Sequence, residues 1–311
     1  MSTDALSSAV ERCREAAVRV AWSQWSVLGG QVGGRRRPPT ALVDPEALLL
    51  FSCALRDEEP RLWDLVGGFM AGWSSLLSVQ RARNLRAVFP EPVGAVMAEA
   101  ATIAVTDGKD SRWKPLEGAA PRRYRPGKVY EPLRRTADPP ALLLRLRLAF
   151  GVQGRTDALA FLLATAPAAA TAKDVAEAIA YGPMPVRRAL DAIAASRLIV
   201  AEGSRPERYH ADPERWRSLL GGGAALPKWR YWASLFAFLS ETLLPARSTR
   251  VRERSPYLES SDLRRIVLQH RGTMIRNRVP IPEPLDYPGE MFLEGFEKTL
   301  ASVTDWLGEN V

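Results

Sequence analysis

"TAKDVAEAIAYGPMPVRRALDAIAASRLIVAEGSRPERYH", residues 171–210, decides how the rest of the chain is read. Thr171 has a side chain suited to capping a helix, and Val175, Ala176 and Ile179 follow on one inward face. The break at "YGPMP" leads into a further helix, seated by Val186, Leu190, Ile193 and Leu198. Leu198 to Ala201 and Arg208 to His210 then read as the two arms of a hairpin about a turn at Gly203 to Pro206. Just upstream, "TDALAFLLATAP" (156–167) supplies one more helix through Leu159, Phe161, Leu162 and Leu163, stopped by Pro167.

Three short helices followed by a strand, a turn and a second strand resemble the winged helix-turn-helix superfamily, in particular MarR-like and ArsR-like bacterial transcriptional regulators. The resemblance covers about 80 of the 311 residues. It implies a third helix that enters the major groove and a wing that approaches the backbone or minor groove. Carried onto this chain, Met184, Pro185, Arg187, Arg188 and Asp191 face the groove, and Arg205 and Arg208 are wing contacts to phosphate. Thr171 and Lys173, at the start of the second helix, would clamp another phosphate. Val186, Leu190 and Ile193 stay inside. The chain departs from the family pattern at Pro183 and Met184, where a polar cap is common, and at Ser196, where glycine is frequent. His210, beside Tyr209 at the end of the wing, reads as structural rather than as a proton switch.

Outward from this segment, 34.3 kDa, 46% hydrophobic and 25% charged residues describe a globular chain of two or three units and exclude wholesale disorder or a coiled-coil rod. Lys and Arg total 43 against 35 Asp and Glu, a formal net charge of +8 that favours polyanionic partners, double-stranded DNA among them. Arginine far outnumbers lysine, which fits a general compositional preference as well as selection for phosphate contacts. The excess is local: nine basic residues against two acidic ones over 121–155, and nine against three over 247–278. Two cysteines, Cys13 and Cys53, make no disulfide framework and fit a reducing cytoplasm. The charged N-terminus does not read as an export signal, and the uncharged run from Leu65 to Gln80 is shorter than the roughly 20 residues of a membrane span. No membrane partner is expected. No zinc-ligand spacing, phosphate loop or nucleophile elbow occurs, and Asp107, Asp110 and Glu117 read as solvated turn residues. The expectation is therefore no metal, no cofactor and no enzymatic activity.

The flanks read as helical. Leu6, Val10, Cys13, Ala17 and Ala21 make one face of a first helix, Arg35, Arg36 and Arg37 a positive loop, and Asp44–Pro45 the start of "PEALLLFSCAL". A helical block from Pro60 to about Phe89 is expected to break around Gly67, Gly68 and Gly72, and the stretch 113–135 to be irregular. Tyr124 and Tyr130 lie within the basic stretch, as nucleic-acid contacts or as anchors for a linker. Asp212 and Pro213 start a helix whose Trp216 packs on the winged unit. Trp229, Trp232, Leu235, Phe236, Leu239 and Leu243 form a wide apolar surface that either docks on the N-terminal helices or pairs two copies. Phe292, Phe296, Leu300, Val303 and Leu307 make a second candidate dimer face, while Arg264, Arg265, Arg271, Arg276 and Arg278 point to solvent.

The expected fold is mainly α. It comprises an N-terminal helical domain over 1–120, a basic linker over 121–140, a winged helix-turn-helix domain over 141–220 and a C-terminal helical region over 224–311. The expected function is that of a sequence-specific, homodimeric DNA-binding transcriptional regulator. The rival is a protein partner: an antitoxin or defence-system component that docks through its winged helix.

Overall fold

The computed structural model describes residues 3–31, 39–125, 137–220, 225–244 and 255–310. The Arg35 to Arg37 loop, Tyr130, most of the expected 121–140 linker, the glycine spacer at 221–223 and the arginines at 247–254 lie outside the described residues.

Among the described residues the chain is mainly helical, with one small antiparallel sheet. The N-terminal part holds α1 (Thr3–Val27), α2 (Pro45–Ala54), α3 (Pro60–Trp73), α4 (Val79–Arg86) and α5 (Glu91–Thr106). Asp44 starts α2 as its chemistry dictates: its carboxylate accepts the Ala47 amide at 3.1 Å and Pro45 occupies the first turn. Every residue of α2 is buried, so it forms the centre of this part. The expected break at Gly67, Gly68 and Gly72 does not occur, because α3 runs through all three and stops at Ser74. Gly67 is there for close approach: a Cβ would sit 2.3 Å from the ring of Tyr124. Tyr124, whose hydroxyl donates to Asp107 at 2.6 Å, thus anchors the following chain onto α3. Asp110 is no isolated turn carboxylate either; it accepts from the Ser74 hydroxyl at 3.0 Å and pairs with Arg112.

The middle part holds α6 (Leu142–Phe150), α7 (Gly154–Thr165), β1 (Ala170–Thr171), α8 (Ala172–Ile179), α9 (Pro183–Ala195), β2 (Val200–Glu202), β3 (Arg208–His210) and α10 (Pro213–Leu219). The sheet order is β1-β3-β2, with Ala170 opposite Tyr209 and Ala201 opposite Tyr209 on its other side. Leu159, Leu162, Val175, Ile179, Val186, Leu190, Ile193 and Tyr209 share one core, to which Leu42 and Trp229 contribute from outside the segment. Trp216 of α10 closes it, donating its indole N–H to the Leu198 carbonyl at 2.9 Å.

The C-terminal part is α11 (Trp232–Leu243), α12 (Pro256–Asn277) and α13 (Phe292–Glu309). Its apolar faces are covered within the chain. Phe236 stacks on Phe51 of α2 at 4.4 Å and on Trp232 at 5.2 Å, and α13 packs along α1 with Phe292, Phe296, Leu300, Val303 and Leu307 all buried. Both faces considered for pairing two copies are therefore internal core, shared with the N-terminal helices. Trp229 departs from the expected stripe: it precedes α11 and meets Phe161 edge-on at 5.0 Å. The arginines of α12 are also less free than expected. Arg264 donates to the carbonyls of Pro284 and Tyr287, while Arg265, Arg271 and Arg276 pair with Glu241, Glu283 and Glu177. His270 is buried and sits 2.9 Å from Glu241.

A buried ionic network joins the first two parts. Arg81 bridges Asp44, at 2.5 Å through both terminal nitrogens, and Glu46, at 2.7 Å. Arg147 of α6 bridges Glu46 at 2.6 Å and Asp157 of α7 at 2.8 and 2.9 Å. All five side chains are almost fully enclosed. From the same side Arg81 donates its Nε–H to the Ile179 carbonyl at 2.9 Å, Asn84 donates to the Ala180 carbonyl at 2.8 Å, and the hydroxyls of Ser78 and Tyr181 meet at 2.7 Å. Side chains of α4 and its cap thereby hold the turn between α8 and α9, where Ala180 takes the left-handed conformation at φ 55°.

Burial alone would raise the pKa of Glu46, but Arg147, Arg81 and the Ser78 amide overcome it and hold the carboxyl down at about 2. A carboxyl depressed in the folded state adds stability that is complete above its unfolded value near 4.5 and is lost as pH falls through about 2. Urea denaturation across that range is expected to show this acid limb, and Glu46→Gln to flatten it. An unchanged slope in that variant would remove Glu46 from the account.

Candidate nucleic-acid interface

The helix α9 starts at Gly182 without a side-chain cap, with prolines in its first turn supplying a preset φ instead. Val186, Leu190 and Ile193, at intervals of four and three, turn inward and are buried. The opposite face is open: Met184 is 60% exposed, and Pro185, Arg187, Arg188 and Asp191 are exposed with it. These five residues, predicted to face a groove, do share one outward surface next to the hairpin.

The hairpin closes through Gly203, at φ 72°, and its tip carries Arg205, exposed and preceding a cis proline. Arg208 is exposed on β3, with the Ala169 carbonyl 3.4 Å away. Tyr209 is the buried residue of β3, and its hydroxyl is 2.6 Å from Asp191 and 2.8 Å from Glu207. Burial and these two carboxylates push the phenol's pKa upward, which keeps it protonated as the donor between them. Asp191 is thereby tied to the sheet instead of standing free at the helix surface. Arg187 lies 3.9 Å from Glu207, an exposed and loose pair, and Arg188 makes no ion pair among the described residues.

Thr171 and Lys173 are placed at the start of α8 as expected, but Thr171 is not available as a phosphate clamp. Its hydroxyl accepts the Asp174 amide at 3.2 Å and the Asp174 carboxylate takes the Thr171 amide at 3.0 Å, a closed capping box. A carboxylate already occupies the positive end of that helix, so an arriving phosphate would meet like charge. Lys173 is exposed beside it.

The electrostatic balance of the segment is even. From 166 to 212, Lys173, Arg187, Arg188, Arg197, Arg205 and Arg208 face Asp174, Glu177, Asp191, Glu202, Glu207 and Asp212. The six cations are all exposed: Arg187 and Arg188 lie on the outward side of α9, Arg205 and Arg208 on the hairpin, Lys173 at the start of α8 and Arg197 after α9. Among the described residues no group of three or more His, Cys, Asp or Glu is placed to hold a metal ion, and no helix is long and apolar enough to cross a membrane.

Sequence reasoning missed β1, which is only two residues long, and it missed the ties from α4 to the α8–α9 turn. The one local sign of the buried network was arginine within the leucine run "ALLLRLRLAF" (141–150), where Arg147 is enclosed and Arg145 is not. No protein-family model matches the chain, and neither a curated protein nor a solved structure matches it.

Proposed function

We propose that the chain is a DNA-binding regulator whose segment 141–220 acts as a winged helix-turn-helix, with α9 as the reading helix and the β2–β3 hairpin as the wing. The observation that carries this reading is the outward face of α9. Arg187 and Arg188 project from a helix whose other side is seated by Val186, Leu190 and Ile193, and the chain order of helices and strands around it suits insertion into a major groove. Arg205 and Arg208 would follow the phosphate backbone from the wing. Two protomers would set a half-site spacing, through a surface other than the buried faces of α11 and α13.

Genomic DNA enrichment with the full chain, followed by sequencing, is expected to return a recurrent site. On that site Arg187→Ala/Arg188→Ala is expected to lower affinity by about ten- to a hundredfold, at one to three kcal/mol for lost base or phosphate contacts, with the melting temperature unchanged. Full-strength binding by the folded double variant would sink the groove assignment.

The even charge balance of 166–212 favours a second reading, in which the same face docks a protein. Enrichment without any preferred sequence, together with a stoichiometric protein partner lost in the double variant, would decide for that role.

A further inference from the structure

A groove of about 400 Å³ lies between the end of α4 and the start of α5, at the edge of the N-terminal part and apart from α9. Arg83 and Arg86 form one wall, Glu91 and Gly94 another, and Phe89 and Leu116 give it apolar patches. The size is that of a small-molecule site. The two arginines are three apart on one helix and so share its side. Other arginines of the N-terminal part, Arg56, Arg61, Arg81 and Arg112, each have a carboxylate within 2.7 Å. Arg83 and Arg86 have neither an ion pair nor a side-chain hydrogen bond among the described residues.

The wall is also shaped around one of them. Gly94 is buried in α5, and a Cβ there would come within 2.7 Å of Arg86 Nε, so the guanidinium lies directly over the glycine. Two guanidiniums against the single carboxylate of Glu91 leave the groove net positive. Planar donor groups of this kind match the paired oxygens of a carboxylate or phosphate.

We propose that this groove binds a small organic oxyanion, its charged end held by Arg83 and Arg86 and its apolar end against Phe89 and Leu116. The site stands independently of what α9 binds. Titration calorimetry on the full chain with phenyl phosphate, benzoate and inorganic phosphate tests it. At least one of the two aryl anions is expected to bind at millimolar concentration or below; which of them binds distinguishes phosphate from carboxylate as the headgroup. Inorganic phosphate, which lacks the apolar part, is expected to bind more weakly than phenyl phosphate. Arg83→Gln/Arg86→Gln is expected to weaken binding about tenfold or more, the loss of charge-assisted hydrogen bonds. Gly94→Ala keeps both charges and favours the helix, yet displaces Arg86, and is expected to weaken binding as well. Failure of both aryl anions to bind, or equal affinity in the folded double variant, overturns the proposal.

Discussion

Exchanging Arg147 for methionine is expected to lower the free energy of unfolding by about 3–5 kcal/mol, the usual result of removing one partner from an enclosed ionic group. The geometry explains why the effect sits at the upper end for a point change. Arg147 contributes both terminal nitrogens to Glu46, two nitrogens to Asp157 and one bond to the Leu76 carbonyl. Without it, Asp44, Glu46 and Asp157 remain in the interior with Arg81 as the only cation among them. Either a carboxyl takes up a proton or water enters, and both outcomes disturb the joint between α2, α6 and α7. Urea denaturation reads the change directly. A loss below about 1 kcal/mol, the size of an exposed pair, would mean that the network is solvated and adds little.

Phe236→Ala is expected to be equally costly, about 3–5 kcal/mol, because truncating an enclosed aromatic removes its transfer energy and leaves a cavity. Phe236 is fully buried, and its ring lies almost parallel to Phe51, at 3° between planes. The substitution therefore loosens the N-terminal and C-terminal helices together, since one core contains both. Reporters placed in each part are expected to melt in a single shared transition, shifted to lower temperature. If an N-terminal reporter near Trp63 kept its transition while a C-terminal one near Trp306 lost it, the common core would be disproved.

Much of this architecture was legible locally. The inward faces of α1, α9, α11 and α13 follow from helical spacing, and both hairpin arms fall within two residues of their expected positions. The capping carboxylates Asp44 and Asp212 announced their helices. The failures have a common physical origin in long-range contacts. Gly67, Gly68 and Gly72 argued for an interruption, yet α3 runs through all three where it packs on α2 and α5. Arginine-rich stretches looked like surface because local charge counts do not reveal that Glu46, 101 residues away from Arg147, is its partner. Within the candidate interface, the resemblance implied an outward position for Arg187 and Arg188, and both are exposed. It could not show that Tyr209 occupies Asp191, or that Asp174 occupies Thr171, because each depends on how the chain folds back.

The way α4 holds the turn between α8 and α9 bears on how such a segment can change hands between proteins. Many small recognition units are portable: they can be spliced onto new neighbours because they finish their own backbone bonding. Here the carbonyls of Ile179 and Ala180 are finished by Arg81 and Asn84, and Tyr181 by Ser78, all encoded about a hundred residues earlier. The segment 141–220 transplanted by itself would leave those groups behind, along with the carboxylate that Arg147 shares with Arg81. Its outward helix therefore rests on a turn that is finished only when α4, its cap and Glu46 are present.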